Sequence, residues 1–225
     1  MGKYEPKKIG YQGFKALAHL HPRVFTADRS KLDAGTLAAD RYFFIRTVSA
    51  TSTHDVGKQG INDDVLRRIV HFLQPKGKVI INSERALPSD LEKFVLKFNK
   101  ADVAHYLAHA AVFISDSTTM CAEAAVLGTP AIEIDTWHED FRQYTQLHDR
   151  YQLLFGFYPA QIDRVLHFLD ELLAMEDLRG VFSVRRARLL DEKIDVSAFL
   201  EWIVRDYPES VGSFNRDDAS QLRFK

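Results

Sequence analysis

The chain has 225 residues, 46% hydrophobic and 27% charged, with a formal net charge of −1. That is ordinary globular composition, and it lacks the basic excess of a nucleic-acid-binding protein. One cysteine, Cys121, excludes an intrachain disulfide framework and a cysteine-rich zinc site.

The elements follow in chain order. In residues 1–40 the stretch "GFKALAHLH" reads as one short helix ended by Pro22. "YFFIRTV" (42–48), rich in aromatic and β-branched residues, reads as a strand, and "SATSTHDVGKQG" as a polar loop. "INDDVLRRIVHFLQ" has apolar residues at 61, 65, 66, 69, 70, 72 and 73, a helical stripe closed by Pro75 and Gly77. "KVIINS" is the next strand, and "ALPSDLEKFVLKF" the next helix, with Pro88 near its start. A short helix "DVAHYLAHA", a strand "AVFIS" and a helix "TTMCAEAAVLG" stopped by Gly128 follow. "PAIEID" and "YQLLFGF" are strands, and "PAQIDRVLHFLDELLAM" is an amphipathic helix. "LRGVFSVRRARLLDEK" and "DVSAFLEWIVRDY" then read as two helices with no strand between them. The last stretch, "PESVGSFNRDDASQLRFK", reads as a loose polar tail.

Short apolar strands alternating with amphipathic helices predict an α/β fold: a doubly wound, Rossmann-like parallel sheet with helices on both faces. The expected organisation is a segment at 1–40 packing on the core, one Rossmann-like domain at 41–207 and a polar tail at 208–225. The opening "MGKYEPKKIGYQG" is polar and no apolar run approaches the ~20 residues of a membrane span, so a soluble, cytoplasmic chain is expected.

The stretch "VFISDSTTMCAEAAVLGTPAIEID" (112–135) is the most informative. In an open parallel sheet, ligands bind outside the carboxyl ends of the strands, and "VFIS" ends at such an edge. With Ser117 as N-cap, the free N–H groups and dipole of the following helix make an anion site suited to phosphate. The hydroxyls of Ser117, Thr118 and Thr119 add donors. Glu123 is four residues past Thr119 and shares its helix face, where a carboxylate accepts hydrogen bonds from the paired hydroxyls of a ribose. The competing reading is a ligand-free N-cap and a solvated glutamate. Glu123 stands in an alanine-rich apolar run, which favours a partner for it. Cys121, in the same run, reads as core packing.

"SDSTTMCAEAAVLGTPAI" resembles the nucleotide-sugar signature of GT-B glycosyltransferases and UDP-N-acetylglucosamine 2-epimerases. With "HLHPRVF" (19–25), "VSATSTHDVGKQGI" (48–61), "NSERALPSDL" (82–91) and "LLDEKIDVSAFLEWIVRDYPES" (189–210), it is similar to an uncharacterised archaeal and bacterial family of that fold. The resemblance implies that Ser117, Thr118 and Thr119 contact a diphosphate and Glu123 the ribose. It implies a second ligand-facing loop with Ser49, His54 and Asp55, and a base-binding rim with Ser83, Glu84 and Arg85. The loop carrying Asp135, Thr136 and Trp137 would line the cleft. Read without the resemblance, His54 serves equally well as a loop cap, Arg85 is a surface turn residue, and Arg185, Arg186 and Arg188 are a solvated helix face.

GT-B enzymes have two Rossmann-like domains, and the resemblance covers only the C-terminal, donor-binding half. The expectation is a nucleotide-sugar-binding half, UDP-linked, of a glycosyltransferase or 2-epimerase type, with no cofactor and no metal. His19 and His21 lack a third ligand spaced to join them. Its partners would be the nucleotide sugar and a separate N-terminal-half chain or a second copy. The alternative is a non-catalytic binding or assembly module, or a truncated product without turnover.

Overall fold

The computed structural model describes residues 8–49, 59–140 and 142–225. His54 and Asp55 lie outside the described residues. The strands are β1 (Tyr42–Thr47), β2 (Lys78–Ser83), β3 (Val112–Ser115), β4 (Ala131–Ile134) and β5 (Leu154–Phe157). The helices are α1 (Leu17–Leu20), α2 (Ala34–Leu37), α3 (Asp63–Leu73), α4 (Ser89–Glu92), α5 (Val103–His109) and α6 (Thr118–Leu127). After them come α7 (Arg142–Thr145), α8 (Ile162–Leu173), α9 (Leu178–Glu192), α10 (Val196–Arg205) and α11 (Glu209–Arg216). The chain forms two compact units, Ala27–Arg186 and Met1–Thr26 with Ala187–Lys225.

The larger unit is a five-stranded parallel sheet in the order β2-β1-β3-β4-β5. β3 and β4 are buried at every position and β1 at all but Arg46, so they read as continuous apolar runs rather than alternating ones. From β1 the chain crosses through α3 to β2 on one side. It later crosses through α6 from β3 to β4, stepping the other way. Crossovers of one hand stepping in opposite directions place their helices on opposite faces. α3 packs with α8, and α5 with α6, which covers the sheet on both sides.

Local chemistry sets the helix ends. Asn62 caps α3 by accepting from the Val65 N–H at 2.9 Å, with Asp63 and Asp64 in the first turn facing the positive end of the dipole. Val65, Leu66, Ile69, Val70 and Leu73 form its buried stripe. Beyond its first turn α6 is buried except at Glu123: Cys121, Ala122, Ala124, Ala125, Val126 and Leu127 are all buried. It ends at Gly128, which takes φ 85° and receives the helix in the left-handed conformation that glycine tolerates.

Two expectations are corrected. The helix predicted for 86–98 exists only as the single turn α4. Beyond it the chain extends and Val95 bridges in parallel to Ile81. The Ile81 N–H donates to Phe94 O at 2.8 Å and the Leu96 N–H to Ile81 O at 2.9 Å. An apolar run beside the otherwise open edge of β2 gains more by satisfying that edge than by coiling. The tail at 208–225 is not loose. It forms α11 and a 3-10 turn at Asp218–Phe224, because a few aromatic anchors hold it. Phe214 and Phe224 lie 5.8 and 5.9 Å from the Phe199 ring of α10, and buried Gln221 accepts from the Gln12 N–H at 2.7 Å.

That smaller unit is helical. α1 and α10 pack together, with Leu17, Leu20, Val196 and Phe199 buried. Asp195 caps α10 through the Ala198 N–H at 3.1 Å. Among the described residues, no helix is long and apolar enough to cross a membrane.

Candidate functional site

The sheet order creates a switch point between β1 and β3, where the chain leaves in opposite directions. In a parallel α/β sheet this is where a crevice opens at the carboxyl edge. Three chain segments meet there: the end of β1 at Val48 and Ser49, the approach to α3 at Gly60 and Ile61, and the β3–α6 turn.

Asp116 ties them together. It is 4% exposed and accepts from the Val48 N–H at 2.9 Å and the Ile61 N–H at 3.0 Å, one bond to each carboxylate oxygen. Gly60 passes so close that a Cβ there would stand 2.4 Å from Asp116 Oδ2, which leaves room for no side chain. Burial pushes the Asp116 carboxyl up to about 6, against the lowering effect of the two N–H donors.

The N-terminus of α6 begins directly after Asp116. Ser117 is its N-cap: the hydroxyl accepts from the Met120 N–H at 3.5 Å and the carbonyl from the Cys121 N–H at 2.9 Å. The Ser117 N–H itself donates to Ser115 Oγ at 2.9 Å, which fixes the turn. Thr118 is half-buried and Thr119 exposed, so the first turn of the helix faces out of the sheet edge. Glu123, one turn further along, is half-buried.

Behind this helix end lies a second acid. Glu133, in the middle of β4, is fully buried and neither carboxyl oxygen has a hydrogen-bond partner at ordinary distance. The Thr118 hydroxyl and the Asp135 carboxyl lie near it. Burial, then the neighbouring Asp135 charge, drives the Glu133 carboxyl far above the carboxylate range. The rise favours its neutral form, which does not oppose an anion at the α6 terminus. Asp135 is turned inward: its Oδ1 accepts from the N–H groups of Trp137 at 2.9 Å and His138 at 2.7 Å, and lies 3.0 Å from His138 Nδ1.

The remaining expected residues are placed as follows. Ser49 donates its N–H to Glu84 Oε2 at 3.2 Å, and Glu84 also holds Arg46, which reaches Asn82 as well. Ser83 accepts from the Thr47 hydroxyl at 2.9 Å and donates to Arg85 O at 2.7 Å. The Arg85 guanidinium is paired with Asp63 and donates to Ile61 O at 3.1 Å. The structure thus brings Ser49, Ser83, Glu84 and Arg85 to the same sheet edge as Ser117–Thr119, with Glu84 and Arg85 engaged by internal partners. Trp137 is buried, and Thr136 holds Gln59 through its hydroxyl, which accepts from the Gln59 N–H at 3.1 Å. Arg186 is no solvated face residue: it is half-buried and its Nε donates to Val126 O at 2.9 Å.

Sequence reasoning passed over Asp116 and Glu133. Glu133 carried a signal, since an acid inside a buried strand needs an internal arrangement. Among the described residues, no group of three or more His, Cys, Asp or Glu is placed to hold a metal ion.

No protein-family model and no curated protein matches this chain. Solved structures do. The calicheamicin glycosyltransferase CalG4 matches with TM-score 0.50 and 13% identity, over 82% of this chain and 45% of that one. The glycotransferase of kitacinnamycin matches with TM-score 0.49 and 15% identity, over 73% of this chain and 43% of that one. Medicago truncatula UGT71G1, solved with UDP-glucose, matches with TM-score 0.42 and 13% identity, over 67% and 36%. The chain spans less than half the length of each. With the sheet order and the flanking helices, the likeness to CalG4 establishes the fold: this chain is built like one Rossmann-like half of a GT-B glycosyltransferase.

Proposed function

We propose that the carboxyl edge of the sheet binds a nucleoside diphosphate sugar and that the chain is the donor-binding, C-terminal-type half of a glycosyltransferase-like protein. The observation that carries this is the N-terminus of α6, capped by Ser117 and opening at the β1/β3 switch point with Thr118 and Thr119 on its first turn. A diphosphate there meets backbone N–H groups, the helix dipole and hydroxyls together. Glu123, one turn along, accepts from the ribose. The uridine base and the sugar come from the sequence resemblance.

Transfer is preferred over 2-epimerisation on chemical grounds. Transfer asks mainly that the leaving diphosphate be stabilised, which a helix terminus does. Epimerisation asks in addition for an accessible base, and the carboxyls of Asp116, Glu133 and Asp135 are buried. A second reading is binding without turnover: the carboxyls of Asp116, Glu133 and Asp135 are buried, which suits a binding edge.

The test is a thermal shift with UDP and UDP-glucose. At a free concentration of about 100 Kd the ligand stabilises by about 2.7 kcal/mol, a rise of several degrees. Glu123→Ala is expected to remove the shift given by UDP while leaving the far-UV spectrum unchanged. A full shift in that variant refutes the ribose assignment, and no shift with any nucleotide refutes the site. Release of sugar from UDP-glucose by the chain alone separates turnover from binding.

A further inference from the structure

At the opposite, amino-terminal edge of the sheet lies a cavity of about 450 Å³. Its floor is the approach to three strands, at Arg41 and Tyr42, at Ala110 and at Thr129. Four guanidiniums line it: Arg29, Arg41, Arg179 and Arg186. Two of them are held by backbone carbonyls. Arg186 donates to Val126 O near the end of α6, and Arg41 donates from Nε to Lys76 O at 2.7 Å. Arg29 and Arg179 are not held: among the described residues neither guanidinium has an ion pair or a hydrogen-bond partner.

Both line the same cavity wall as Tyr42 and His109, the last residue of α5. Both ring nitrogens of His109 are sealed from bulk water and lack a hydrogen-bond partner. Burial and the two arginines hold its imidazole neutral. A neutral imidazole always carries one N–H, and leaving it buried and unsatisfied costs about 1–3 kcal/mol. Asp40, Glu176 and Asp177 share the rim, but Asp177 caps the start of α9 through the Gly180 N–H at 2.8 Å. An acceptor-rich anion in this cavity would meet two uncommitted guanidiniums, with the His109 ring in the wall beside it.

We propose that this cavity is a second ligand site, which binds the phosphate group of a small phosphorylated metabolite between Arg29 and Arg179, beside His109. Guanidiniums present paired donors that match a phosphate, and the volume is that of a metabolite site rather than of one ion. The site stands at the edge away from α6's N-terminus, so a compound held there acts as an effector and not as a donor substrate. The inference is independent of the nucleotide-sugar reading.

The experiment uses the full chain with inorganic phosphate, then glucose 6-phosphate, against sodium chloride at equal ionic strength. Phosphate is expected to raise the melting temperature in a saturable way, glucose 6-phosphate to do so at lower concentration, and the His109 imidazole resonances to move with the same midpoint. Arg29→Gln with Arg179→Gln is expected to weaken phosphate binding at least tenfold, and the Lys versions of both to restore part of it. Ser117→Ala is expected to leave the phosphate response unchanged. The proposal is overturned if the shift equals that of chloride, if His109 does not respond, if the arginine variants bind as tightly as the parent, or if Ser117→Ala alone removes the response. The Gln variants also keep any UDP shift, so failure of one site is read separately from failure of the other.

Discussion

Replacing Asp116 with asparagine isolates a single buried ionisation. The carboxyl has an ordinary value of 3.8 and is raised to about 6 in the fold. Between those values the folded chain binds more protons than the unfolded one, so stability falls as pH rises. The favourable contribution is complete below 3.8 and is lost as pH passes through about 6. At about 1.4 kcal/mol per pH unit the loss amounts to about 3 kcal/mol. The amide introduced by Asp116→Asn does not titrate. It also turns a donor toward one of the two N–H groups of Val48 and Ile61, an offset of about 1–3 kcal/mol at every pH. The offset and the slope are therefore separable. Urea unfolding, followed by the fluorescence of Trp137 and Trp202, is measured for both proteins from about pH 3 to 7, the window that brackets the shift. The variant is expected to gain about 3 kcal/mol relative to the parent across that range, whatever its starting deficit. Asp116 also contributes to the raised Glu133 carboxyl, but that group titrates above this window. Parallel curves for the two proteins would refute the reasoning, because they would mean that Asp116 ionises at the same cost folded and unfolded.

Three further substitutions probe the scaffold. At Gly156 an added Cβ would lie 2.2 Å from His138 Cδ2, and that ring is buried between Tyr144 and Tyr158 at 5.0 Å from each, so Gly156→Ala is expected to cost about 1–3 kcal/mol in urea unfolding. Gly128→Ala forces a side chain to φ 85° and sets its Cβ 2.8 Å from Arg186 Cδ; a loss of about 1–2 kcal/mol and a lower melting temperature are expected. Asn62→Ala removes the α3 cap and is expected to cost about 1 kcal/mol in the same urea measurement, with Asn62→Asp restoring most of it.

Much of the architecture was legible because the strands are short, largely apolar runs and the helices α3 and α8 carry clear stripes. Ser117 and Gly128 were legible as the two ends of α6, since a hydroxyl before an apolar run and a glycine after it are local signals. What was not legible depended on distant partners. Phe94–Leu96 has helical neighbours in sequence, and only the open edge of β2 draws it out straight. The tail looks polar, and its order rests on Phe199, an aromatic on another helix. Asp116 is an ordinary member of a string of polar residues. Its importance appears only when Val48 and Ile61, far apart in sequence, arrive with free N–H groups.

The burial of α6 beyond its first turn bears on motion. A helix buried from Cys121 to Leu127 at every residue but Glu123 cannot swing into water without exposing the middle of the sheet, so its backbone amides there should exchange with solvent only when the entire larger unit opens. The ledge at its first turn is thus mounted on the least yielding part of the molecule. Any ligand received there docks onto a rigid seat, and little entropy is lost in ordering it.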